Sequence, residues 1–73
     1  MEEKFKIRSY GFGELAQMYF PQITKQSATV QFGKWIRLNE NLKIELKAAG
    51  YKRWQKIFTP KQVEILVKVF GEP

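Results

Sequence analysis

Apolar residues recur at helical spacing in four stretches of this chain, and polar or turn-forming residues separate them. Phe12, Leu15, Ala16 and Tyr19 stand at i, i+3, i+4 and i+7, the repeat of one buried helical face. Pro21 ends that first helix near Tyr19, because the residue before a proline is pushed out of the helical region. A second helix is predicted from about Thr24 or Ser27 to Leu38, with Ala28, Phe32, Trp35 and Ile36 inward. Asn39 or Asn41 caps a third, whose inward residues are Leu42, Leu46 and Ala49 and whose end is Gly50, suited to the left-handed position after a helix. Thr59-Pro60-Lys61-Gln62 announces a fourth, with a threonine cap, proline in the first turn and glutamine placed to close a capping box. Val63, Leu66, Val67 and Phe70 make its core stripe, and Gly71 and Pro73 end it.

Two stretches fall outside this pattern. Lys4 to Tyr10 alternates basic and apolar residues, which predicts a short extended N-terminal segment with Phe5 and Ile7 on one face. Tyr51 to Phe58 mixes aromatic and basic residues without helical spacing and predicts a loop or short strand pair. The expected fold is therefore all-α: one domain over residues 1–73 with four helices, helix-turn-helix-like, with the extended segment and room for a small hairpin. The last helix is apolar on a second side, at Ile65 and Val69. A helix apolar on two sides is buried twice. Either the Phe5/Ile7 segment covers that strip, the favoured reading, or a protein partner or second copy of the chain does.

Size and charge sharpen this picture. A domain of 73 residues buries only about 60% of the surface its unfolded chain exposes. With no Cys and no His, neither a disulfide nor a zinc site reinforces the core, so the aromatic residues must supply its packing. Nearly all the net charge of +6 lies between Lys25 and Lys61, where nine basic residues face only Glu40 and Glu45. A segregated basic surface favours a polyanionic partner. Without His, Cys or Asp, the thiol nucleophile, the imidazole base and the usual zinc-ligand sets are missing. A non-enzymatic protein with no metal and no cofactor is expected. The acidic, polar start and the lack of a long apolar run predict neither an export signal nor a membrane span, and hence a cytoplasmic location.

The run Glu14-Leu15-Ala16 to Tyr19, a break, and then a helix ending Trp35-Ile36-Arg37 resembles the first two helices of helix-turn-helix DNA-binding domains, which set the second helix in the major groove. The outward side of the second helix carries Gln26, Val30, Gly33, Lys34 and Arg37. Gln can read adenine, Lys and Arg reach guanine or phosphate, Val can meet a thymine methyl, and Gly permits close approach. Equally, Val30 and Gly33 could pack on another helix while Lys34 and Arg37 are simply solvated. Lys52, Arg53 and Lys56 would grip phosphates, and Trp54 either stacks on an unpaired base or, by preference in so small a domain, joins the core. The preferred expectation is a DNA-binding accessory or regulatory protein; the competing one is a protein-interaction module using Ile65 and Val69.

Taken together, Y-G-F-G-E-L-A-x-x-Y-F-P, W-I-x-x-N, L-K-x-A-G-Y, T-P-K-Q-V and the closing G-E-P resemble a family of short bacterial proteins of the Bacteroides type, classified as a domain of unknown function. The resemblance covers nearly the whole chain and implies a stand-alone domain. It implies no activity, cofactor or binding residue.

Overall fold

The computed structural model describes residues 5–52 and 55–73. Its elements follow the order β1 (Tyr10–Gly11), α1 (Phe12–Tyr19), α2 (Lys25–Leu38), α3 (Glu40–Ala48), β2 (Ile57–Phe58) and α4 (Pro60–Phe70). It is a mostly helical small domain.

Each helix begins where a side chain can take an otherwise unpaired backbone N–H. The Thr24 hydroxyl accepts from the Ser27 N–H at 3.1 Å. Asn39, rather than Asn41, caps α3, its Oδ1 accepting from the Leu42 N–H at 3.0 Å. The capping box of α4 is present as its sequence predicts: Thr59 Oγ1 accepts from the Gln62 N–H and Gln62 Oε1 from the Thr59 N–H. Glu14 closes the start of α1 by accepting the Gly11 N–H at 3.1 Å, and that bond, aided by Arg8, holds its carboxyl below the ordinary carboxylate pKa.

Phe32 of α2 is fully buried at the centre of the core. The rings of Tyr19, Phe12, Phe70 and Phe58 stand around it at centroid distances of 5.2, 5.7, 5.8 and 6.2 Å, so aromatic contacts from both ends of the chain converge on one residue. Tyr10, Leu15, Ala16, Ala28, Ile36, Leu42, Leu46, Phe58, Val63 and Leu66 are buried with it. Trp35 departs from the expected inward stripe. It packs on Phe20 and Phe70 at 4.5 and 5.1 Å but remains 38% exposed, since position 35 lies at the edge of the face defined by residues 28, 32 and 36.

Gln62 is buried with both its polar side-chain atoms hydrogen-bonded: its Nε2 donates to the Ala49 carbonyl at 3.2 Å, and its Oε1 also accepts from Gln55. The residue that caps α4 thus also ties it to the end of α3.

The short strand expected within 51–58 is β2, and its partner is β1, not a neighbour within the same stretch. Tyr10 pairs with Phe58 and Gly11 with Ile57 in antiparallel register, and the Phe12 N–H extends the ladder to the Lys56 carbonyl at 2.8 Å. The N-terminal segment also differs from expectation. Phe5 folds back to stack on Tyr10 at 5.2 Å, while Ile7 is 45% exposed, so the two do not share a buried face. Among the described residues, the concavities that border the second strip of α4 are lined from α2, α3 and α4 and not from that segment. Ile65 shares a shallow groove with Glu45, Ala48 and Ala49 of α3, and Val69 borders a cleft with Leu38 and Asn39 at the α2–α3 junction. The short α3 turns directly out of α2 at Asn39 and packs on α4. Among the described residues no helix is long and apolar enough to cross a membrane.

Candidate functional site

The end of α3 builds the site. Gly50 has φ +87°, and its N–H and that of Tyr51 return to the carbonyls of Lys47 and Leu46 at 3.0 and 2.9 Å. This is a Schellman closure, which brings the second residue past the helix against the side chain at its third-last position. Here that contact sets Tyr51 beside Leu46. The Tyr51 ring then stacks on Phe58 at 5.6 Å, and burial raises its phenol pKa, keeping it neutral.

Between this closure and α2 lies a groove of about 890 Å³. Phe12, Gly33, Ile36, Leu46 and Tyr51 form its apolar lining. Its cationic lining comes from Arg37 of α2, Lys43 and Lys47 of α3, and Lys52 beyond α3, with no carboxylate among the lining residues. Lys43 pairs with Glu40 at 3.0 Å. Glu45, the other acid of α3, turns instead to Lys68 of α4 at 2.9 Å. Arg37, Lys47 and Lys52 form no ion pair among the described residues. Arg37 and Lys47 lie in the last turns of their helices, where the negative end of the dipole favours a cation; Lys43 and Lys47, like charges four apart, oppose each other.

The structure therefore joins Arg37 and Lys52, two of the residues singled out from sequence, and adds Lys43 and Lys47. Gln26, Val30 and Lys34 are exposed on α2 but outside the groove. Val30, 55% exposed, does not pack on another helix. Lys56 is exposed and contributes its carbonyl to the β ladder. Arg53 and Trp54 lie outside the described residues. A signal for Lys47 was present in L-K-x-A-G-Y, where a glycine closure after Ala49 throws Tyr51 back onto Leu46 beside Lys47; Lys43, one turn earlier, lies outside that motif.

A second concavity, lined by Trp35, Leu38, Val69 and Phe70 on its apolar side, sits at the α2–α3 junction. Leu38 there is 84% exposed.

The family model for a domain of unknown function, DUF4248, matches residues 6–73. The chain belongs to the DUF4248 family. No curated protein and no solved structure matches it. Every described residue of the groove falls within the DUF4248 match, so the groove is built wholly from the family domain.

Proposed function

We propose that this protein binds nucleic acid, and that its contact surface is the basic groove between α2 and α3, extended by the outward side of α2. The observation that carries this reading is the convergence of four cations from three stretches of chain on an apolar floor with no acid among them. Lysines and arginine at that density neutralise phosphates and release the condensed counterions, which is the sequence-independent source of nucleic-acid affinity. Gln26, Val30 and Lys34 continue the exposed surface along α2 and offer groups that can meet base edges. The order of α1 and α2 is similar to a helix-turn-helix pair, although five residues, 20–24, separate them, more than the usual three or four. The proposal does not require α2 to enter a major groove.

The test is a gel-retardation assay with random-sequence duplex and single-stranded DNA, using the wild type and the triple variant Arg37→Ala/Lys47→Ala/Lys52→Ala. Exposed charges contribute little to folding, so the variant should melt like the wild type and lose retardation. Retention of full binding by a folded triple variant removes the groove from the interface.

The exposure of Leu38 beside Trp35 and Val69 favours a second reading, a protein-contact surface at the α2–α3 junction. On that reading Leu38→Ser abolishes a concentration-dependent increase in sedimentation coefficient. A wild type that sediments as a monomer at every concentration and captures no partner through Leu38 leaves the reading without support.

A further inference from the structure

Gly33 lies in the interior of α2, where glycine lowers helix stability relative to alanine. Close packing ordinarily explains such a glycine. Here, among the described residues, nothing outside the helix's own backbone and the adjoining residues lies within 4 Å of the point where a Cβ would stand, so their packing gives no reason for its absence. The contrast with Gly13 is direct: a Cβ there would come within 2.8 Å of Lys25 and 3.3 Å of Thr29. The bare surface at Gly33 instead forms part of the floor of the basic groove, beside Phe12, Ile36 and the half-buried Tyr51.

A flat apolar floor bounded by cations selects among nucleic acids. A duplex offers the groove its phosphates, but its bases are stacked on one another and present only their edges. An unpaired nucleotide offers a phosphate on each side and the face of a base between them, and base faces stack on aromatic platforms without regard to sequence. The volume, about 890 Å³, lies within the range of sites that enclose a small organic group.

Resting on the nucleic-acid reading above, we infer that the groove seats an unpaired base against the half-buried helix surface at Gly33, with the flanking phosphates held by Arg37, Lys47 and Lys52, so that the ligand is single-stranded nucleic acid. The missing side chain at position 33 is what lets the base lie close to the helix. Its neutral neighbour Tyr51 forms part of the wall.

Fluorescence anisotropy with a labelled thymidine oligomer of about 12 nucleotides, on the scale of known single-strand sites, tests this on the full chain. Four comparisons decide it: an abasic oligomer of the same length, a duplex of the same length, thymidine monophosphate as competitor, and the variant Gly33→Leu. Filling the floor with leucine and removing the bases should each weaken binding by about 10-fold, the scale of one lost base stack. Gly33→Leu should melt no lower than the wild type, since the added side chain meets open space; Gly33→Ala, the smaller change, serves as the second variant and should give an intermediate loss. The duplex should bind more weakly than the oligomer and respond little to Gly33→Leu. Equal affinity of Gly33→Leu and wild type for the oligomer overturns the inference, as does an abasic oligomer that binds as well as thymidine. Competition by the mononucleotide at concentrations matching the oligomer also overturns it, making the ligand a free nucleotide. Either of the first two results with salt-sensitive binding intact leaves the nucleic-acid reading standing, whereas mononucleotide competition, or no binding of any oligomer or duplex, refutes both.

Discussion

Gly50→Ala tests the element on which the groove depends. At φ +87° an L-residue with a Cβ meets its own carbonyl, a strain of about 1–2 kcal/mol. Among the described residues no neighbour within 4 Å of the added methyl adds a clash, so the cost is taken from backbone strain. Against it, alanine restricts the unfolded chain and returns about 0.4–1 kcal/mol. The net destabilisation is about 1 kcal/mol, which in a domain of this size lowers the melting temperature by about 4–8 °C. Thermal unfolding followed by circular dichroism reads this directly. Gly50→Asn should fall between the two, because asparagine enters the left-handed region more readily than alanine. The damage is also local in a way that binding can report: if the closure relaxes, the Tyr51 N–H leaves the Leu46 carbonyl and the wall of the groove shifts. An alanine variant that melts at or above the wild-type temperature would refute the argument, since it would mean that the end of α3 does not need the left-handed residue.

Two further perturbations probe other elements. Thr59→Ala removes the hydroxyl that accepts the Gln62 N–H and should cost about 0.5–2 kcal/mol, seen as a lowered melting temperature; a silent change would place the start of α4 elsewhere. Burial, with a smaller effect from Glu72, pushes the Tyr19 phenol from 10.0 up to about 12. Because that pKa is raised in the folded state, its stabilising contribution is complete below pH 10 and is lost as pH rises through about 12. Melting temperatures measured across that window should fall, and Tyr19→Phe should flatten the decline; an identical decline in the variant would assign it to other groups.

Much of the helical framework could be read from the sequence, because the signals that set it are local. The caps at Thr24, Asn39 and Thr59 lie within three residues of the N–H groups they bind, and Gly50 marks the end of α3 by its own conformation. What could not be read is where distant pieces meet. The pairing of Tyr10–Gly11 with Ile57–Phe58 depends on where α1 and α4 pack, and two residues carry no alternation from which to infer a partner. Phe5 and Ile7 looked equivalent by spacing, yet only Phe5 has a ring that can stack on Tyr10. Ile65 and Val69 were legible as a second apolar strip, but the directness of the Asn39 turn, which brings α3 to them, was not. For the candidate site, the basic segment contains the cationic residues of the groove, while which of them converge required the third dimension. Arg37 and Lys52 enter the groove with Lys43 and Lys47, whereas Lys34, nearer in sequence to Arg37, is exposed but not among the lining residues.

The account rests on phosphate neutralisation in the α2–α3 groove, and the salt dependence of binding measures that most directly. For a single-stranded oligomer, the affinity plotted against salt on logarithmic axes should have a slope of about −2, the value for three phosphates met by Arg37, Lys47 and Lys52, and the triple alanine variant should bring it close to zero. A flat dependence in the wild type, or an unchanged slope in a folded triple variant, would contradict the assignment of this groove to nucleic acid.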